Sequence, residues 1–240
     1  RPPRPAPRAL DRALHVTAPM RIFACTFSPD VPMPDVRAIV EDITSRLSSV
    51  PAVEAIAVSG SRARATPAAD AMSDIDLYVF TRGEVALSSR QRIAEHLGRH
   101  ASAQLDQRFW GLSDQWIDAA SGLQIDVNYF DAQWMHDTVL RVVEGHQPSL
   151  GYTTCFWRTI QQSVVLFDRA SWLGDFKARC DARYPEALRR RIIAHNHPVL
   201  RTIYTSYANQ IDKAVARADL VSLNHRIAAL LASYFDCLFA

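Results

Sequence analysis

Apolar residues in this chain keep two different rhythms. From Val53 to Phe130 they come in short blocks or alternate with polar residues; beyond Gly151 they recur every three or four positions. Val53–Ser59 (VEAIAVS) is apolar and stops at a Gly-Ser turn, as a short buried strand does. Asp74–Phe80 (DIDLYVF) and Leu123–Phe130 (LQIDVNYF) alternate, so each predicts a strand with one face in a core. Helical spacing surrounds these strands. Val36, Ile39, Val40, Ile43 and Leu47 share a face behind a capping Asp35, Ser88–His100 turns Ile93 and Leu97 inward, and Asp131–Glu144 is helical. Between them, Gln104–Gly122, with Phe109, Trp110 and Trp116, holds a short strand and an aromatic loop.

Gly145–Gly151 (GHQPSLG) is the expected domain boundary. Past it, Val164–Asp168 is either one short strand or a turn, and helices are predicted around Trp172–Ala182 and over Glu186–His195 behind Pro185. Helical spacing resumes through Leu200, Ile203, Tyr204, Tyr207, Ile211 and Val215. A last helix, capped by Asp219, carries Leu220, Leu223, Ile227, Leu230, Leu231, Tyr234 and Leu238 on one stripe. The stripe is still running at Leu238 with no Gly, Asn or Pro stop after it, which predicts a longer form with further helices. The expected organisation is an extension over 1–19, a first domain over 20–145 and a helical domain over 146–240.

Composition narrows the class. The chain is 48% hydrophobic and 22% charged, ordinary for a globular protein, and its net charge of +2 implies no general attraction to nucleic acid or membrane. Its cations are nearly all arginine, with Lys177 and Lys213 the two lysines, a bias of high-GC bacterial coding. Cys25, Cys155, Cys180 and Cys237 lie far apart without a CxxC pair, so free thiols in a reducing cytoplasm are expected rather than disulfides or zinc. No apolar run approaches the roughly 20 residues of a membrane span. Arg1–Arg12 (RPPRPAPRALDR) lacks the apolar segment of a secretory signal and reads as a disordered extension.

Three acids then change the picture. Asp74 and Asp76 point to one strand face, roughly 7 Å apart, and would repel unless something sat between them, for which a pair of divalent metals is one candidate. Asp126 interrupts the apolar alternation of a later strand. The set Gly60-Ser61, twelve residues, Asp74-Ile75-Asp76-Leu77, then Ile125-Asp126-Val127 resembles the signature of the nucleotidyltransferase superfamily of the DNA polymerase β type. Ser73 and Arg64 fall where that superfamily often has Ser and Arg; Ala65 stands where many members have Gly. The resemblance spans roughly residues 20–145. A looser one links Ala214–Phe239 to the helical second domain of antibiotic-type and related bacterial nucleotidyltransferases.

The resemblance implies an α+β fold, a small mixed sheet flanked by helices and followed by a helical bundle. It further implies transfer of a nucleoside monophosphate, AMP favoured, from an NTP (ATP favoured) to a hydroxyl acceptor with two Mg²⁺ ions and release of pyrophosphate. Asp74, Asp76 and Asp126 would be the metal ligands and catalytic acids, with Asn128 supporting Asp126. Gly60, Ser61, Arg64 and Ser73 would bind the triphosphate, Arg62 being a second candidate for the pyrophosphate charge. A small hydroxylated acceptor, such as an aminoglycoside or lincosamide, is favoured over a protein side chain or tRNA end. The alternatives are a non-catalytic nucleotide-binding module of regulatory or toxin–antitoxin type and, last, a purely structural domain. The tryptophans of Gln104–Gly122 are expected to pack, with an acceptor pocket as the other possibility. His195-Asn196-His197 and Arg189-Arg190-Arg191 read as helix-end and helix-face residues rather than a metal site or phosphate clamp.

Overall fold

The computed structural model describes residues 36–63, 73–98, 102–109, 111–181 and 183–240. Asp35, Arg64, Ala65, Trp110 and Cys25 lie outside them, as does the N-terminal extension. The strands are β1 (Val53–Val58), β2 (Ile75–Thr81), β3 (Gln104–Gln107), β4 (Leu112–Ile117), β5 (Gln124–Asp131) and β6 (Val164–Asp168). They form one mixed sheet in the order β3-β4-β5-β2-β1-β6, in which β2 and β5 are the parallel pair. Around it stand α1 (Val36–Ser48), α2 (Leu87–Leu97), α3 (Ala132–Val143), α4 (Cys155–Gln162), α5 (Trp172–Cys180) and α6 (Glu186–His197). α7 (Tyr207–Ala216) and α8 (Leu220–Phe239) close the chain, and α8 packs on α6 and α7. The fold is α+β, as the sequence predicts.

Alternation along β2 and β5 places two cores. Ile75, Leu77 and Val79, with Ile125 and Val127, meet Ile43 and Leu47 of α1 and Ile93 of α2 on one side. On the other, Ala55, Ala57 and Phe80 meet Met135 and Val139 of α3, Trp157 and Ile160 of α4, Phe176 of α5 and Leu188 of α6. The small residues of β1 let these helices approach the sheet.

Several boundaries shift for local reasons. β2 opens at Ile75, leaving Asp74 one residue ahead of the strand. α2 stops at Leu97 because Gly98 turns away, where a Cβ would lie 2.6 Å from the Ala94 carbonyl and 2.9 Å from the Trp116 ring. Gln104–Gly122 holds two strands rather than one, and Trp116 is core. Buried Arg90 links the two strands. Its guanidinium reaches Asp114 at 2.6 Å and Asp106 at 3.0 Å and lies 5.3 Å from the Tyr129 ring centre. Val164–Asp168 resolves as strand β6, paired with β1, and α4 had no counterpart in the sequence reading.

Farther along, α6 runs to His197 and passes through Pro198 into a π-helical turn, Pro198–Thr202. Helix resumes only at Tyr207, capped by Ser206. His195 and His197 are exposed and belong to no metal-like cluster among the described residues, whereas Asn196 between them is fully buried. Arg189 and Arg190 pair with Glu186, and Arg191 donates to the carbonyls of Gly145 and His146 beyond the end of α3. Asp219 caps α8 as expected, accepting from the Ser222 amide at 2.9 Å. Cys155, Cys180 and Cys237 are free thiols. No helix among the described residues is long and apolar enough to cross a membrane.

Candidate metal centre

Parallel pairing sets Asp76 beside Asp126, Tyr78 beside Asn128 and Phe80 beside Phe130. These side chains share the face that α3–α6 cover, and the cover is graded. Phe80 is fully buried, Tyr78 and Asp76 only half. The helices shield one end of β2 and leave open the end where the carboxylates stand. Asp74 stands one residue ahead of the strand at this end. One ligand oxygen each from Asp74, Asp76 and Asp126 lies within 4.8 Å of the other two.

Such crowding has an electrostatic consequence. Burial, then Asp74, then Asp126 push the Asp76 carboxyl from 3.8 up to about 6. Asp126 is also raised by burial and by Asp74, against the opposing pull of Gln124, whose amide donates to its two oxygens at 3.0 and 3.2 Å. Three half-buried carboxylates at this spacing form a hard oxygen donor set, which suits a divalent cation such as Mg²⁺.

The turn after β1 closes on this group. The Ser59 amide donates to the Asp76 carbonyl at 2.9 Å, and Gly60-Ser61 opens a 3-10 turn over Gly60–Ala63. Gly60 has φ +65°, and a Cβ there would stand 2.0 Å from Asp76 Oδ2. The glycine is therefore required by its contact with a carboxylate as well as by any later approach to phosphate.

Arg62 has a defined task of its own. Its Nε donates to the carbonyls of Ser73 and Asp74 at 3.1 and 2.9 Å, and Nη2 donates to Ser73 again. A planar fork thus pins the backbone that carries Asp74. Arg62→Lys keeps the charge but loses the fork. It should cost about 1–2 kcal/mol of stability and weaken cation-induced stabilisation, both readable by thermal melts with and without Mg²⁺; unchanged melts would remove this role.

Asn128 sits on the carboxylate face, half-buried. Two neighbours on that face escaped the sequence reading, although the alternation places them there. Gln124 is two residues before Asp126. Tyr78, two after Asp76, has its hydroxyl raised by burial and by Asp76 and hydrogen-bonds the Ser59 side chain. Tyr78 packs 5.1 Å from Phe130, which stacks 6.3 Å from the half-exposed Trp134. An aromatic wall thus runs from the acid cluster to α4.

No protein-family model matches this chain, and no curated protein matches it. Among solved structures, a nucleotidyltransferase-like protein from Exiguobacterium sibiricum aligns over 82% of this chain at 12% identity with a TM-score of 0.37. The chain covers 54% of that protein's length.

Proposed function

We propose that this protein is a nucleotidyltransferase that moves a nucleoside monophosphate, AMP in our reading, from an NTP to a hydroxyl acceptor and releases pyrophosphate. The observation that supports it most is the convergence of Asp74, Asp76 and Asp126 to within 4.8 Å beside the Gly60-Ser61 turn. The motif resemblance supports it independently. Asp74 and Asp76 would hold both of two Mg²⁺ ions and Asp126 one of them. Bound there, the ions supply charge neutralisation on the phosphates and a lowered pKa for the acceptor hydroxyl.

The chain's own groups do the rest. Amides of the turn after Gly60 and the Ser61 hydroxyl cradle the β- and γ-phosphates, with Arg64 and Ser73 as further triphosphate contacts. The acceptor oxygen bonds to the α-phosphorus as the bond to the pyrophosphate oxygen breaks. A carboxylate oxygen of Asp126, whose affinity for a proton is raised, takes the proton from the acceptor. Gln124 holds Asp126 in place through its amide, and Asn128 lies on the same face beside it. A small-molecule acceptor is favoured, since a net charge of +2 offers RNA little attraction.

The test incubates purified protein with labelled NTPs, Mg²⁺ and a panel of small hydroxylated acceptors, proteins and tRNA, scoring label transfer and pyrophosphate. Transfer that needs Asp126 supports the reading; NTP binding without transfer to any acceptor would favour a non-catalytic module. Ser61→Ala should weaken Mg·NTP binding by about 0.5–1.5 kcal/mol, one net hydrogen bond, measurable by calorimetry. A larger loss would mean that Ser61 shapes the turn.

A further inference from the structure

A cleft of about 530 Å³ opens between the first turn of α4 and one side of α8. That volume lies in the roughly 300–1,000 Å³ range of small-molecule sites. Ala228, Leu231, Phe235 and Phe239, spaced to share one face of α8, form one wall; Tyr152 and Arg158 stand opposite. The Phe235 and Phe239 rings are stacked on each other, 5.9 Å apart and 10° from parallel, and both line the cleft. They are nonetheless 45% and 66% exposed.

The walls are fixed in place by a buried polar latch. Asp236 accepts from the Thr153 amide at 3.1 and 3.2 Å and from its hydroxyl at 2.5 Å. Asn196 accepts from the Gly151 amide at 3.0 Å, and Gly151 fits so closely that a Cβ would lie 2.7 Å from Ala232. The loop leading into α4 is thereby clamped between α6 and α8. This cleft is pre-formed.

Two charged groups line it, Arg158 and Asp236. Asp236 is 6% exposed and its oxygens are engaged by Thr153, so it offers little to a ligand. The Arg158 guanidinium, exposed at the cleft, makes no ion pair or hydrogen bond among the described residues. An apolar aromatic wall facing one free guanidinium selects a particular chemistry. We propose that this cleft binds a small molecule with a flat apolar body and one anionic group, the body against Phe235 and Phe239 and the anion at Arg158.

Three matched probes test this on the whole chain without nucleotide: naphthalene-2-carboxylate, naphthalene-2-methanol and 2-naphthylmethylammonium, titrated by calorimetry. The carboxylate should bind about tenfold more tightly than the ammonium, with the alcohol between. Arg158→Gln should bring the carboxylate to the level of the alcohol. Ala228→Phe, at an exposed position, should fill the cleft and abolish binding of all three while leaving the melting temperature unchanged. Equal or tighter binding of the ammonium would overturn the proposal, as would binding that survives Ala228→Phe. No probe binding, with sedimentation showing a dimer that Ala228→Phe dissociates, would instead make the cleft a contact between two copies and equally overturn it. None of these readouts depends on nucleotide transfer.

Discussion

Asp76→Asn is expected to abolish metal-dependent transfer and to raise the melting temperature of the metal-free protein by about 2–4 °C. The two effects share one cause. Asp76 ionises against burial and two neighbouring carboxylates, so its pKa stands at about 6 rather than 3.8. A folded value above the unfolded one means that the fold binds the proton more tightly than the unfolded chain does. Ionised Asp76 therefore destabilises the metal-free fold above about pH 6, and the penalty fades as pH falls toward 3.8. The rise from 3.8 to about 6 corresponds to about 3 kcal/mol; Asp76 is half-exposed, so solvent screening leaves about 1 kcal/mol. Asn removes that penalty together with the ligand charge. Melts in EDTA at about pH 5 and pH 7.5 should show an acid-side gain in the wild type that is smaller in the variant. Added Mg²⁺ should stabilise the wild type, less so below about pH 6 where protons compete, and leave the variant unmoved. A destabilised metal-free variant, or one with full turnover, would remove Asp76 from the centre.

Gly60→Ala should sharply reduce transfer, because the added methyl meets a carboxylate of the acid cluster. The left-handed conformation of residue 60 costs a side chain about 1–2 kcal/mol. The added carbon would also stand 2.0 Å from Asp76 Oδ2, so the carboxylate has to leave its place. A reacting centre displaced by about 1 Å can lose on the order of 100-fold in rate, and transfer should fall at least that far. The contrast with Ser61→Ala separates a cradle from an ordinary turn: similar small effects from both would mean that the turn has no special relation to the acids. A double-mutant cycle isolates the contact. In an Asp76→Ala background the clash is gone, and the stability cost of Gly60→Ala should shrink to the backbone contribution of about 1–2 kcal/mol. An unchanged cost would show that the strain lies elsewhere.

Periodicity by itself determined the strands that carry the acids, the helices on either side of them, and the fact that Asp76 and Asp126 oppose the core-facing Ile75, Leu77, Ile125 and Val127. These are local properties, because side-chain direction follows from spacing along one element. The Asp219 cap was legible for the same reason: it depends on residues three apart. What spacing cannot encode is which distant segments meet. The pairing of β6 with β1, the burial of Arg90 against Asp106 and Asp114, and the reach of Arg62 to the backbone before Asp74 each join residues 11 or more positions apart. Asp74 itself shows the limit most plainly. Its position in the alternation placed its backbone about 7 Å from that of Asp76 along a strand, but the strand begins one residue later, and one oxygen of each of the three carboxylates lies within 4.8 Å of the others. Asp126 came within reach only through the parallel pairing of β2 with β5, and the open end of the face was decided by how far α3–α6 cover the sheet, because burial depends on where helices stop in space and not on any period in the chain.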